Sequence, residues 1–360
     1  MSKKLRKLMA IVLSVLIVCG LLTGCGANKG NENKEINICI WDGAYSEDAI
    51  EAFEKKSGIK VNITYIDNTD TLISKVISGG SQYDVIDIEA AYVKTFVDGN
   101  LLQAVDHSSL SNEAYLLESL LTEGPIGDED LTYVVPNQNF GYTTIIYNKE
   151  TCPIEITSFQ DLADPALKGE VGMVSSTISL YGAALESLGY DADSVDEGEI
   201  EAANNLLAEI KKNVKAFKGE SCASLLLNGD CSVIFSWDYA LLMFDSEENW
   251  DKYAVADIDS DYERFVQYWA ITKDSENTEY AEEFINYMIS PEATAMGVNE
   301  WGLIPMVKRE YIEDYLPSGF YENPAVLKYE ELADRSWLVA VDDKQIALMD
   351  TYYTLLMGGE

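Results

Sequence analysis

The chain has 360 residues, of which 62 are acidic, 25 are basic and one is histidine, so its formal net charge at pH 7 is −37. This acidity argues against nucleic acid or an anionic membrane surface as a partner and mildly favours cationic ones. The sequence contains no GxSxG, HExxH or P-loop pattern, and the lone His107 lies in a stretch typical of a surface turn. We therefore expect no enzyme, no metal site and no cofactor.

Residues 1–24 have the pattern of a secretory signal peptide. A basic start is followed by an apolar run that is short for a bilayer core and ends in small residues. The motif LTGC, which ends at Cys25, resembles the bacterial lipobox, whose cysteine is lipid-modified. We expect lipidation of Cys25, with palmitate among the acyl chains, and a flexible tether over 25–35. The protein would then be exported and anchored to the outer face of the bacterial cytoplasmic membrane, or lie in the periplasm.

Four further cysteines follow Cys25, and none of them has CxxC spacing, so a metal site has little support. Cys222 and Cys231 could form a disulfide in an exported protein, or both could remain small buried thiols. The sequence leaves these alternatives open.

Strands and helices alternate from residue 36 onward. INICIW is predicted as a strand, SEDAIEAFEKKSG as an amphipathic helix with Ser46 as N-cap and Gly58 as C-cap, and IKVNITYI as a second strand. The helix NTDTLISKVISGG and the strand YDVIDIE complete a series that predicts a parallel α/β sheet.

The second half continues this alternation over enough chain for a second domain. TYVVPNQNFGYTTIIYN is predicted as extended chain, EVGMVSS as a strand, and LYGAALESLGY and EGEIEAANNLLAEIKKNV as helices. VKAF and CSVIFSW would supply strands of a second sheet, and RFVQYWAIT returns as a strand. TEYAEEFINYMISPEATAMG and DDKQIALMDTYYTLLMGG are predicted to be helical.

Six segments, in order and at similar spacing, resemble the spermidine/putrescine-binding proteins of ABC importers: IWDGAYSEDAIEAFEKKSGIKV, YDVIDIEAAYV, GNLLQAVDHSSLSN, FGYTTIIYNKE, SLGYDADSVDEGEIEAANNLLAEIK and WAITKDSENTEYAEEFINYMISPEATA. The resemblance covers nearly the whole mature chain. It implies a type II periplasmic-binding-protein fold, with two α/β lobes, hinge crossovers and a ligand cleft between the lobes. Lobe one would comprise 36–140 and 271–310, and lobe two 141–270 and 311–360. It also implies a monomer that delivers its ligand to an ABC permease.

Ligands of open α/β sheets bind beyond the carboxyl ends of the strands, and Trp41, Glu89, Ser176 and Trp237 are predicted at such ends. An aromatic face attracts a cation, and a buried ammonium also needs a carboxylate. By resemblance, Trp41 and Trp237 match strand-end tryptophans of the family, with packing under the hinge as the competing interpretation. Tyr45 and Tyr92 lie one place beyond matching tyrosines.

The carboxylates of the family are replaced in this chain. Its acidic pair aligns with Ser176 and Ser179, a third aspartate with Gln267, a tyrosine with Leu303 and a late glutamine with Leu338. Our hypothesis is that the acidic groups occupy different positions in this chain, so that Asp42, Glu89 and Asp238 bind a cation from other directions. The alternative is that these three acids are simply solvated. Under the hypothesis, Trp237, Asp238 and Tyr239 form one wall of the ligand cleft. In RFVQYWAIT, strand alternation with the alignment directs Phe265 and Gln267 to the cleft and leaves Trp269 deeper, in the hinge core.

The Ser- and Thr-rich start of the helix after residue 174 offers a second identity for the ligand. Its hydroxyl and backbone N–H groups could hold the carboxylate of a zwitterion, or Ser175, Ser176 or Thr177 could only cap the helix. We predict a substrate-binding lipoprotein that captures a small cationic amine, such as spermidine or putrescine, by lobe closure. The alternative is a protein of the same class for a thiamine-like cation, a zwitterion or a sugar. An adhesin or sensor, and lastly a hydrolase, remain further alternatives.

Overall fold

The computed structural model describes residues 34–41, 45–66, 69–79, 82–122, 124–219, 221–237, 243–244, 246–332, 335–338 and 343–358. The predictions made for the signal peptide, Cys25, Asp42, Asp238 and Tyr239 lie outside these ranges. Within them, no helix combines the length and the apolar character that crossing a membrane requires.

The first part of the fold is the predicted strand and helix series. It comprises β1 Glu35–Trp41, α1 Glu47–Ser57, β2 Lys60–Ile66, α2 Thr69–Gly79, β3 Val85–Glu89, α3 Val93–Asp98 and α4 Glu118–Thr122. β1 pairs in parallel with β2 and with β3. The predicted caps of α1 are confirmed: the Ala49 N–H donates to Ser46 Oγ at 3.2 Å, and Gly58 has a φ of 71°. The positive φ ends the helix at little cost, because glycine has no Cβ.

The remaining elements follow the predicted order, with several short additions. They are β4 Val134–Asn148, β5 Val171–Val174, α5 Thr177–Ser187, α6 Glu197–Lys211, β6 Val214–Lys218, α7 Ala223–Leu227, β7 Val233–Ser236, α8 Glu247–Lys252, β8 Tyr253–Val255, β9 Tyr262–Ile271, α9 Thr278–Met288, α10 Pro291–Trp301, α11 Arg309–Ile312, α12 Pro324–Leu332, β10 Ser336–Leu338 and α13 Asp343–Gly358.

The strands form one hydrogen-bonded sheet, not the two sheets expected from the sequence. Their order is β2-β1-β3-β9-β4-β7-β5-β6, with β10 on β9 and β8 on β4. The 15-residue β4 and the 10-residue β9 pair antiparallel with each other and reach both halves of the sheet. β9 also pairs antiparallel with β3, so the first half is mixed and not purely parallel. The two expected sheets form one sheet because β9 pairs with β3 of the first half, β4 pairs with β7 of the second half, and β4 and β9 pair with each other.

The limits of the two lobes stay a prediction. Glu35–Glu360 form one compact unit. The expected boundary after residue 140 falls inside β4, and the one after residue 270 falls inside β9. These two strands occupy the places where hinge crossovers are expected.

The described cysteines are all free thiols, so the disulfide alternative for Cys222 and Cys231 is not what the structure shows. Both are buried, and burial raises the pKa of each thiol to about 11. They act as small apolar side chains of the core.

Candidate ligand-binding site

Aromatic side chains stand at the strand ends where a ligand site is expected. Trp41 ends β1, Trp237 follows the last residue of β7, and Phe265 lies in β9; all three are half-buried. Along β9, Phe265 and Gln267 are half-buried while Val266 and Tyr268 are buried. This alternation agrees with the orientation expected from the sequence, because successive side chains of a strand point to opposite faces.

Three of the predicted contact residues meet at the start of α5. Ser176 is the N-cap, and its Oγ accepts the Ser179 N–H at 3.2 Å. The Oγ atoms of Ser176 and Ser179 lie 3.0 Å apart. The indole Nε1 of Trp237 donates to Ser179 Oγ at 3.3 Å. The capping role of Ser176 is therefore present, and it is compatible with a ligand contact because the residue remains half-buried.

A buried carboxylate that the sequence reasoning missed completes this cluster. Glu263 in β9 is 5% exposed and lies directly opposite Thr143 in β4. Its carboxylate accepts the Thr143 hydroxyl at 2.5 Å and the Ser179 hydroxyl at 3.0 Å. Burial raises the pKa of Glu263 to about 7, and the two hydrogen bonds oppose that rise. Strand alternation from Phe265 is the signal that could have found it, since residues 263, 265 and 267 share a face.

A second buried carboxylate, that of Asp87, lies in β3. Asp87 is fully buried and accepts the Asn137 side-chain amide at 2.9 Å. Burial is the main reason that the pKa of Asp87 rises to about 7; the nearby Glu89 adds to it, and the neighbouring polar groups of Tyr45, Asn137 and the Trp41 backbone oppose it. Glu89 itself is half-buried at the end of β3 and pairs with Gln267 of β9.

Two tyrosines of the predicted site lie against the core. Tyr45 is 4% exposed, and its ring centroid is 4.7 Å from that of Trp269. Trp269 is 1% exposed and also packs on Phe284, which places it deep in the core, as the alternation indicates. Tyr92 is half-buried in the 3₁₀ turn that directly follows β3, with its side chain packed against the core.

One buried amide also escaped the sequence reasoning. Gln138 is 1% exposed, lies where the β4–β9 register shifts, and finds no hydrogen-bond partner for either amide atom among the described residues. A Cβ built on Gly297 would lie 2.9 Å from Gln138 Oε1 and 3.2 Å from Leu303 Cδ1. Leu303, which the resemblance matches to a tyrosine of the family, offers Gln138 no polar group.

A separate cavity of about 220 Å³ has a different character. Phe140 and Tyr142 of β4 line it together with Arg309, Tyr321 and Tyr329. Because Gly141 and Thr143 of β4 pair with Phe265 and Glu263, the alternation of β4 puts Phe140 and Tyr142 on the opposite face of the sheet. The cavity therefore does not belong to the cluster around Glu263.

The cluster offers groups that bind a solute. Hydroxyl groups, half-buried aromatic rings and acidic side chains suit a ligand that carries positive charge, by hydrogen bonds, by cation–π contact and by ion pairing. No group of residues suited to a metal ion occurs in the part of the chain that the structure describes.

Comparison with known proteins agrees with this description. The family model for bacterial extracellular solute-binding proteins matches residues 48–318. The putrescine-binding periplasmic protein SpuD of Pseudomonas aeruginosa is 28% identical over 301 residues, which cover 79% of this chain and 80% of that protein. The spermidine/putrescine-binding periplasmic protein of Escherichia coli is 25% identical over 287 residues, 77% of this chain and 79% of that protein.

A solved structure shows the same fold. The TpPotD lipoprotein of Treponema pallidum superposes with a TM-score of 0.78 at 22% identity, over 90% of this chain and 99% of that one. The resemblance seen in the sequence is confirmed, and so is the two-lobe binding-protein class of the fold. The chain belongs to the bacterial extracellular solute-binding proteins, a family of binders and not of enzymes.

Proposed function

We propose that this protein is the lipid-anchored substrate-binding component of an ABC importer, and that its cargo is a polyamine of the spermidine or putrescine type. The relatives reported above carry these ligands in their names, and the matches extend over more than three quarters of the chain. The ligand would bind at the strand ends, with Trp41, Trp237 and Phe265 against its alkyl chain and with Glu89 and Gln267 at one end.

The observation that carries the proposal is the fixed position of Trp237. Its indole is half-buried, and its Nε1 is bonded to Ser179 at the start of α5, so one orientation of the ring is favoured. A rigid aromatic face beside a buried acid attracts ammonium groups and their methylene chain together. Sugars also stack on tryptophan and can donate hydroxyl hydrogen bonds to a carboxylate, but only a cation also balances the charge of a buried carboxylate that has no ion-pair partner among the described residues.

The lipid anchor and the site of action follow from the amino terminus. Cys25 would carry the acyl chains, and the tether would hold a monomer near its permease on the outer face of the membrane. The signal peptide contributes basic residues and no acidic ones, so the mature chain is more acidic than the full sequence. An acidic surface is repelled by anionic headgroups, so an acyl anchor is needed to hold the protein at the membrane.

Isothermal titration calorimetry with putrescine, spermidine and spermine tests the ligand class, with a zwitterionic amino acid, thiamine and a monosaccharide in the same series. We expect saturable binding of at least one polyamine and none of the other three. Absence of heat and of any thermal shift with all polyamines would refute the polyamine assignment, and binding of a compound from the second group would replace it.

Variants connect the binding to the site. Trp237→Ala should weaken polyamine affinity about tenfold or more, because it removes a cation–π face and apolar contact area. The control is Tyr315→Ala, which removes an aromatic ring that is 53% exposed on a distant 3₁₀ turn. Equal polyamine affinity in wild type and Trp237→Ala would mean that Trp237 packs in the core and does not contact the ligand.

A further inference from the structure

Glu263 is a buried acid whose charge is not paired within the part of the chain that the structure describes. None of the ion pairs found there includes it. Its two hydrogen-bond partners, Thr143 and Ser179, are neutral hydroxyl groups. An ionised carboxylate removed from water is compensated well by a cation and only partly by hydroxyls. A positive group brought beside it would therefore be held strongly.

The position of Glu263 joins it to the ligand site. Ser179 donates to its carboxylate and accepts from the indole of Trp237, so one atom links the acid with the aromatic wall. The Ser179 hydroxyl has a single proton, and if that proton goes to Glu263, the contact between Ser179 and Ser176 requires Ser176 to donate. Phe265 lies two residues farther along the same face of β9 and is half-buried.

The distance between Glu263 and the second acid, Glu89, sets the length that a ligand needs in order to contact both. Glu89 pairs with Gln267, which is four residues from Glu263 along β9, or about 13 Å at the rise of an extended strand. The terminal nitrogens are about 11 Å apart in extended spermidine and about 6 Å apart in putrescine, from carbon–carbon bonds of about 1.5 Å in staggered conformations. With about 3 Å from each ammonium to its carboxylate, extended putrescine reaches about 12 Å and spermidine about 17 Å, so both ligands are long enough to contact the two acids.

We propose that Glu263 is a ligand anchor that replaces the carboxylates absent at Ser176 and Ser179, and that it and Glu89 hold the two terminal ammonium groups of a linear polyamine. This inference rests on the proposed polyamine function. Glu263 receives one terminal ammonium, Glu89 the other, and Phe265 lies under the alkyl chain between them. The raised pKa of Glu263 is consistent with an acid that lacks a cation until the ligand arrives.

The test measures affinities of diaminoalkanes with four to ten methylene groups, and of spermidine, by calorimetry on the folded full-length protein without its signal peptide. In wild type we expect saturable binding of spermidine and of the diamines that are long enough to contact both acids. Glu263→Gln keeps the shape of the side chain and should weaken the long diamines about thirty-fold or more, since it removes one partner of a buried charge pair. The matched control is Glu51→Gln, which removes the same charge from a site that is 63% exposed on α1 and should leave every affinity unchanged.

A rescue separates a ligand contact from a structural role. Ser176→Asp restores an acid at the aligned family position and keeps a good N-cap. In the Glu263→Gln background it should recover most of the lost affinity, which a purely structural Glu263 would not allow. Aminooctane has one ammonium group, and its affinity should fall less than that of diaminooctane when Glu263 is replaced by Gln. Unchanged affinity in Glu263→Gln, or no rescue, would overturn the proposal, whereas failure of the wild type to bind any polyamine would refute the proposed function itself.

Discussion

Asp87 and Glu263 are acids that the fold buries beside the predicted ligand site. Asp87 lies in β3, and Glu263 lies in β9 against α5. Both have a pKa raised to about 7, chiefly by burial. Asp87 has hydrogen-bond donors around it and lies near the acidic Glu89, while the hydrogen-bond partners of Glu263 among the described residues are two hydroxyls. The protein therefore keeps two acidic side chains in positions where ionisation costs free energy when no ligand is bound.

The pH dependence of stability follows from these shifts. Between the ordinary pKa of a carboxyl group, near 4, and about 7, the folded state binds more protons than the unfolded state, so the free energy of unfolding falls as pH rises. For Glu263 the fall should reach roughly 3 kcal/mol at most. Chemical unfolding of the ligand-free protein at pH 5 and pH 7.5 measures it, and Glu263→Gln should show a smaller fall than wild type. Identical pH dependence in the two proteins would contradict the account.

At this scale the sequence identified the aromatic and hydroxyl residues better than the acids. Trp237, Ser176 and Ser179 could be proposed because they match family positions at the ends of predicted elements. Glu263 could not be proposed in that way, because the resemblance assigned no ligand contact to that position and a charged residue near a strand start is ordinarily solvated. Its burial is set by Thr143 and Ser179, which are distant in sequence.

Helix α5 packs closely against β10 at Gly182. A Cβ built there would lie 2.4 Å from the indole Cη2 of Trp337 in β10, and β10 pairs with β9 over Tyr262 to Arg264. The absence of a side chain at 182 thus lets the helix that carries Ser176 and Ser179 approach the strand that carries Glu263.

Gly182→Ala tests this packing. In an exposed helix the change stabilises by about 1 kcal/mol, but overpacking a rigid indole costs typically 1–3 kcal/mol, so we expect a net loss of up to about 2 kcal/mol in the free energy of unfolding. The control is Gly198→Ala in the first turn of α6, where the new Cβ meets only the Asp196 side chain at 3.1 Å. Urea unfolding compares the two. If Gly182→Ala were as stable as wild type or more stable, β10 would have to shift at little cost in free energy, which would contradict the prediction.

Regular elements with strong local signals could be predicted, and short ones could not. The α1 caps were correct because Ser46 and Gly58 act on neighbouring backbone. The segment after residue 277 was predicted as helical chain, but it forms two helices, since Ser290 caps a new helix that begins at Pro291. β8 and β10, of three residues each, depend on pairing with β4 and β9 and have no periodicity of their own.

The whole molecule is organised by β4 and β9, which connect its two halves within one sheet. The fold class followed from the alternation of strands and helices and from the family resemblance. The single sheet did not, because the pairing of β9 with both β3 and β4 joins residues more than a hundred positions apart. Two long connecting strands suit a protein that closes around a ligand, since bending a few residues in each moves whole lobes.

The central claim is that a positively charged ligand binds at the strand ends beside the half-buried tryptophans, and a crystal structure of the spermidine complex tests it most directly. The account predicts an extended ligand along the Phe265 and Gln267 face of β9, with one terminal nitrogen within about 4 Å of the Glu263 carboxylate. Spermidine bound elsewhere, for example in the cavity lined by Phe140 and Tyr142, would contradict it.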